Sequence, residues 1–259
     1  MSLSLLSAPA LAQDTTITWG AGLQLQAFDY EEFNAQGRSL NREEGILPGA
    51  RFLWRYADQR LQHQLSLDVL AGGVDYDGQT QVGIPHETDT KTRLYHLQYQ
   101  LDYVLLPGQV HAVLGASWDH WSREIQPSGI IIGLDETYSW PALNAGLSFP
   151  LMQSGVHSVS LSAGYLKVLE GRFTVDLSAL GFAKEEIDLG AGDGLESSLR
   201  YSFSLPDKTA FELELLYRRW SFDESNSKTL NNGTRTLSFL EPRSKSQRLG
   251  LSFTLVMPF

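Results

Sequence analysis

From Leu249 to Phe259 bulky apolar residues take the odd positions, with Gly250, Ser252 and Thr254 between them. A repeat of two with one oily and one small polar face is a strand lying between two different environments. The same alternation recurs along the chain. Roughly 16–30 sets Ile17, Trp19, Ala21, Leu23 and Leu25 against Thr18, Gly20, Gly22, Gln24 and Gln26. Roughly 46–57 opposes Ala50, Phe52, Trp54 and Tyr56 to Arg51, Leu53 and Arg55, and roughly 61–74 opposes Leu65, Leu67 and Val69 to Gln64, Ser66 and Asp68. The clearest segment, roughly 91–105, sends Tyr95, Leu97, Tyr99, Leu101 and Tyr103 one way and His96, Gln98, Gln100 and Asp102 the other. Further strands are expected over roughly 109–122, 137–149, 157–169, 185–205 and 209–222, and the final segment is the tenth.

The connections alternate in length. Asp58-Gln59, Pro107-Gly108, 150–155 and Pro206-Asp207 are short, whereas 31–45, 75–90, 123–136, 170–184 and 223–243 are long. An even number of strands, with short turns at one end and long loops at the other, marks an all-β transmembrane antiparallel up-and-down barrel. The expected count is about ten, or eight or twelve if one hairpin is misread. Gly190, Gly192 and Gly194 suggest a bulge in the eighth strand, and Thr234 to Leu240 reads as an extracellular extension. Trp54, Tyr56, Tyr103, Phe149, Phe203 and Phe211 would form one membrane-interface girdle, and Phe28, Trp118, Tyr138, Trp140 and Trp220 the other.

The last strand, with Phe259 at its end, resembles the closing strand of Gram-negative outer-membrane β-barrels. That resemblance implies a bacterial outer-membrane location and the outer-membrane assembly machinery as a partner. It also implies surroundings of outer-membrane lipid and lipopolysaccharide. Residues 1–12 read as the remnant of a signal peptide, with Ala10 and Ala12 forming an A-x-A cleavage site, and 13–259 as the barrel domain. The basic stretch that should precede such a leader is missing, as in a start codon placed late or a trimmed chain.

Composition narrows the partners. The 259 residues include no cysteine, and their net charge of -10 argues against nucleic acid, which requires a basic surface. Mean hydropathy is -0.19, and no apolar run is long enough for a spanning helix. A monomer is expected.

The inward list is charged: Arg51, Arg55, Asp68, His96, Asp102, Glu196, Arg200, Glu212, Glu214, Arg218 and Arg248, with His111 and Asp119 beside them. Charges in a low-dielectric interior are costly unless paired, and aqueous porin channels need about sixteen strands. Ten strands therefore predict a mutually paired plug. Counting outward from Pro206-Asp207 sets Arg200 beside Glu214 and Glu196 beside Arg218.

Ten strands with long acidic loops also resemble the omptin family of outer-membrane proteases, whose site pairs two aspartates with an Asp–His couple. Asp75-Tyr76-Asp77 looks like the first half. The second half is absent, because the last histidine is His157 at a short turn, so no base is available to activate water. His120-Trp121-Ser122 resembles the His-x-Ser of lipid A deacylases, whereas His157-Ser158-Val159-Ser160 has the wrong spacing. Asp75, Asp77, His86, Glu87 and Asp89 are expected in one loop, a candidate for a divalent cation or for the cations that bridge lipopolysaccharide, with Asp75 and Asp77 as ligand candidates; solvated acids are the default, because the glycine of an EF-hand would arrive too early there. The long loops also carry apolar residues, among them Ile130, Ile131 and Ile132 in one and Phe173 and Phe182 in the next. Segments 123–136 and 170–184 are expected to meet, hiding those side chains or forming a ligand site between them. No catalytic residue, cofactor or metal is expected. The function expected is an outer-membrane barrel, not an enzyme, whose extracellular loops meet a ligand, a partner or lipopolysaccharide. The rivals are a narrow porin or hydrophobic-solute channel, and an omptin-like or lipid A-acting hydrolase.

Overall fold

Strands with one oily face can hide their edges in a bilayer only by closing on themselves. The computed structural model, which describes residues 15–80 and 83–259, shows that closure; the leader reading of 1–12 lies outside the described residues. In chain order come β1 (Thr16–Phe33), β2 (Ser39–Ala57), β3 (Leu61–Gln79), β4 (Pro85–Leu106), β5 (Val110–Ile125), β6 (Leu134–Ser154) and β7 (His157–Val168). They are followed by β8 (Gly171–Asp176), β9 (Lys184–Leu189), β10 (Gly192–Ser204), β11 (Ala210–Phe222), β12 (Lys228–Asn231), β13 (Thr236–Phe239) and β14 (Arg243–Pro258). Ten of these, β1 to β7 with β10, β11 and β14, form a closed antiparallel barrel in which β1 pairs with both β2 and β14.

Register gives the tilt. The chain of paired residues starting at Ile17 runs through Tyr56, His63, Leu101, Leu114, Ala145, Tyr165, Leu195, Arg219 and Gln247 and returns to β1 at Asp29, twelve residues higher. At normal strand spacings this climb corresponds to a tilt of about 40°. It raises Asp29 roughly 30 Å above Ile17, the thickness of a hydrocarbon core.

Each strand exceeds what the bilayer needs, and the alternation changes phase where the bilayer stops. Leu23, Leu25, Leu65, Leu97, Leu114, Leu143, Leu215, Leu251 and Phe253 face outward and are exposed. Higher on the same strands the outward residues are Glu44, Asp75, Asp77, Glu87, Asp89 and Glu124, all exposed. The apolar side chains there have moved to the inner face: Phe28, Tyr30, Leu70, Val74, Trp121, Tyr138, Trp140, Trp220 and Phe222 are buried in one core. Within lipid the oily face must point out; above it the same face must leave water and point in.

This inversion corrects two expectations. Phe28, Tyr138, Trp140 and Trp220 are not lipid-interface residues but lumen core, whereas Trp118 is exposed on the outer face. Most of the stretches expected as long loops are strand: β2 begins at Ser39, β3 runs to Gln79 and β4 starts at Pro85. Asp75 and Asp77 therefore lie on β3, paired with Asp89 and Glu87 of β4.

The mouth is covered by two hairpins. β8–β9 continues the wall from the top of β6, pairing Glu136 with Val175 and Tyr138 with Phe173. β12–β13 arises from the connection between β11 and β14, and its Leu230 and Phe239 join the same core. The expected eighth strand is thus two, β9 and β10. At that break a Cβ on Gly192 would lie 1.8 Å from the Ser221 carbonyl oxygen, so only glycine lets β10 approach β11. At the opposite end Leu53, Ala210 and Val256 close a small apolar floor.

Leu97→Arg, which puts a charge near mid-bilayer, is expected to cost about 2–4 kcal/mol in denaturant unfolding from lipid vesicles. Glu87→Arg, on the same strand but above the bilayer, should stay within about 0.5 kcal/mol.

Candidate functional site

Inward side chains meet in layers across the lumen. In the lowest, Arg51 on β2 donates through Nε and Nη2 to the Asp68 carboxylate on β3 at 2.7 and 2.9 Å, and through Nη1 to Glu214 on β11. Arg200 Nη2 also donates to Glu214, at 3.0 Å. Arg55 clasps Glu212 with both terminal nitrogens at 2.5 and 2.8 Å and gives its Nε to Gln64. One step higher, Asp119 on β5 accepts from Arg218 Nη2 at 3.1 Å and lies 2.9 Å from His96 Nδ1 and 3.6 Å from Arg248 Nη2. Arg218 Nε lies 3.5 Å from Glu196, which also accepts from Gln98. Both arginines lie over the Trp220 ring, at 5.6 and 5.1 Å. Asp102 stands apart, accepting only from Gln100 at 2.8 Å and making no ion pair among the described residues. The serine-rich walls of β6, β7 and β10 leave a polar cavity of about 50 Å³ against this network, lined in part by Gln100, Asp102, Ser148, Ser160, Ser162 and Arg200.

The aromatic layer follows. Trp140 packs edge-on to Phe222 and tilted against Trp220, with ring centroids 5.1 and 5.9 Å apart. Trp121 stacks on Tyr138 and meets Tyr30 edge-on at 4.8 and 4.9 Å. These rings close the bore above the charges.

Higher still, outside the bilayer, lies a cluster that none of the sequence patterns pointed to. Arg123 of β5, almost fully buried, donates to Glu43 Oε1 at 2.6 Å through Nη2. Its Nη1 reaches Glu136 at 3.1 Å, Tyr138 Oη at 3.0 Å and Glu32 at 3.4 Å. Its guanidinium lies over the rings of Tyr30, Trp121 and Tyr138 at 5.0, 5.1 and 5.8 Å. Glu241, from the segment leading into β14, accepts from Tyr138 at 2.8 Å and from Tyr30 at 3.1 Å. One guanidinium thus faces four buried carboxyls. Burial, with Glu32 and Glu43 adding repulsion, raises the Glu136 carboxyl to about 7 against the pull of Arg123. Burial and the Glu32 and Glu136 charges hold Glu241 well above the usual carboxylate range, and burial also raises Glu43. These acids are far apart in the sequence, and the fold alone brings them together.

The remaining expected residues do not converge. Asp75 and Asp77 are exposed on the outer wall, facing away from the mouth, where Arg42 neutralises Asp29 and Glu44 at 2.5 and 3.0 Å. His86 points inward beside Tyr76, opposite in facing to Glu87 and Asp89, and no group of three or more metal-ligating residues forms among the described residues. His120 is stacked on outward-facing Trp118 at 5.6 Å, with no hydrogen bond to an acid among the described residues. Segments 123–136 and 170–184 touch by strand pairing, Asp135 with Asp176 and Glu136 with Val175. Their apolar residues nonetheless part company. Phe173 is buried and Phe182 half-buried against the core, whereas Ile131 only bridges to Ser128 and Ile132 is exposed. Ile130 is 92% exposed.

No protein-family model matches the chain, and no curated protein matches it. Solved structures do. The chain is similar to the outer membrane protease OmpT from Escherichia coli, with a TM-score of 0.56 at 10% identity over 98% of this chain and 100% of that one. The beta domain of the Bordetella autotransporter BrkA follows at a TM-score of 0.45 and 9% identity, covering 93% of this chain and 100% of that one. Neisserial surface protein A gives 0.37 and 10%, covering 93% of this chain and 97% of that one. The protein has the fold of a bacterial outer-membrane β-barrel, and its lipid-facing belt places it in the outer membrane.

Asp119→Asn leaves Arg218 and Arg248 without their shared anion and is expected to destabilise the barrel by about 3–5 kcal/mol in denaturant titration. Asp29→Asn, which breaks an outer-wall pair, should cost roughly 0–1 kcal/mol.

Proposed function

We propose that this protein is a closed, non-enzymatic surface barrel whose extracellular crown recognises a ligand, a partner or lipopolysaccharide. The observation that carries this reading is the double obstruction of the bore. Paired charges fill the membrane-embedded half, and Trp121, Trp140 and Trp220 fill the half above it together with the two hairpins. Against that filled interior, the crown's most exposed apolar side chain among the described residues is Ile130, at the tip between β5 and β6 with Ile132 beside it. An exposed apolar tip on a rigid support is a recognition feature. Hydrolysis lacks support: among the described residues the Asp-x-Asp of β3 faces outward without a histidine partner, and the outward His120 makes no hydrogen bond to an acid.

Purified protein in planar bilayers should be electrically silent. Steady ohmic conductance of porin-like size would transfer the reading to the narrow channel. Ile130→Asp/Ile132→Asp should keep the wild-type unfolding midpoint while lowering capture of lipopolysaccharide micelles at least about tenfold, the effect of removing roughly 1.4 kcal/mol of contact. Unchanged capture would remove the tip from lipopolysaccharide recognition.

A further inference from the structure

The segment 223–242 runs from β11 to β14 and is fastened to the mouth at few points. Leu230 and Phe239 enter the core, and Lys228 meets Glu185 at 2.8 Å. Asn232 donates to the Gly181 carbonyl at 3.0 Å. Lys228 also donates to the Glu186 carbonyl and the Asp223 N–H to the Ala191 carbonyl, each at 3.0 Å, and Leu237 packs against the core. A further fastening is Glu241, held on the main chain by Ser225, whose N–H donates to the Glu241 carbonyl and whose Oγ accepts the Glu241 N–H. Its carboxylate reaches Tyr30 on β1 and Tyr138 on β6, strands on opposite sides of the ten-strand ring.

Proton counting at this point is independent of any titration value. Tyr30 Oη lies 2.7 Å from Glu32 Oε1 and 3.1 Å from Glu241 Oε1. Tyr138 Oη lies 2.8 Å from Glu241 Oε1 and 3.4 Å from Glu136 Oε2. A phenol carries one proton, so two hydroxyls cannot bridge four such contacts unless a carboxyl contributes its own. Glu43 Oε2, on a side chain with no exposure, has no partner among the described residues and adds another acceptor without a donor. Fully ionised, the four acids would leave three uncompensated charges around Arg123 in a buried site, which proteins avoid by retaining protons.

We propose that segment 223–242 is a proton-operated lid, shut while the Glu32–Glu136–Glu241 group holds at least one proton and lifted when that group is fully ionised. The groups facing it are Tyr30 and Glu32 from β1, Glu43 from β2, Tyr76 from β3 and His86 from β4 behind it. Arg123 from β5 and Glu136 and Tyr138 from β6 complete the ring. Arg123 is the sole cation within hydrogen-bond reach of these acids among the described residues. In the shut state burial raises Glu136 to about 7 and holds Glu241 well above the usual carboxylate range; a glutamate in water titrates near about 4.3. Between those limits the shut state binds more protons, so it is favoured at low pH and loses ground as pH rises. The open-to-shut ratio grows about tenfold per pH unit for each proton released. Lifting would uncover the aromatic layer without disturbing the membrane half.

The chain has no cysteine, so spin labels at Gln36→Cys and Arg235→Cys report on the rim and the lid without background. Pulsed dipolar spectroscopy on the protein in nanodiscs should show one distance at about pH 5.5 and a second, different one growing toward about pH 9.5. Glu241→Gln keeps an acceptor oxygen for the tyrosines, supplies its own N–H and carries no charge, so it should hold the low-pH distance throughout. Glu136→Gln, which serves if the first variant fails to fold, should move the opening to higher pH. Heat-modifiable gel mobility confirms the closed barrel in each case. A wild-type distribution unchanged over that range overturns the proposal, as does opening of either variant along the wild-type course. None of these outcomes depends on whether the crown recognises a ligand.

Discussion

Closing ten strands at a climb of twelve residues sets the bore, and the rest of the molecule answers to it. A ring of that number and tilt has a backbone cylinder roughly 20 Å across, too wide for one layer of small side chains and too narrow for a free water column. It has to be filled from its own walls. In the membrane half the filling is mostly polar, because nearly every apolar position there is committed to lipid, Leu53, Ala210 and Val256 of the floor excepted. Charge within such a filling is costly to bury unless it is paired. Hence Arg51, Asp68, Glu214 and Arg200 run as a chain of opposite signs, and Arg218 and Arg248 share Asp119.

Above the bilayer the same walls face water, and their chemistry turns over. Outer positions become charged and inner ones aromatic, as Leu25 to Phe28 on β1 and Tyr217 to Trp220 on β11 illustrate. The protein is therefore two solvents' worth of barrel on one ladder of hydrogen bonds. Its upper half is built like a soluble β-barrel and its lower half like a porin wall. Arg123 and its four acids lie at the top of the upper core, with Arg123 wrapped by aromatic faces.

The membrane half is plain in the sequence because lipid imposes a strict period of two; Tyr95 to Tyr103 can be read without a structure, and the Pro206-Asp207 hairpin fixes the depth of Arg200 against Glu214. The upper half is harder to read. Once the apolar residues change face, Glu43 next to Glu44 and Asp75 flanked by Val74 and Tyr76 look like loop, although each still alternates in burial. A spacing of three between large residues, Trp118 to Trp121, is the trace that the phase change leaves. The Arg123 cluster has no such trace. Glu32, Glu43, Arg123, Glu136 and Glu241 come from five separate segments, and each alone resembles a solvated surface charge.

The lumen pairs reach across the cylinder and not only along it. Arg51 of β2 meets Glu214 of β11, and Asp119 of β5 meets Arg218. Partners so far apart along the chain do not exist for one another until the last seam, β1 against β14, is zipped. An unzipped sheet lying in lipid would expose about ten charges to hydrocarbon, each costing several kcal/mol there. Half-built sheets are thus barred from the bilayer interior. Insertion and closure must happen as one event, with the charged face kept wet until the seam is shut, and the order of assembly is written into which strand each arginine waits for.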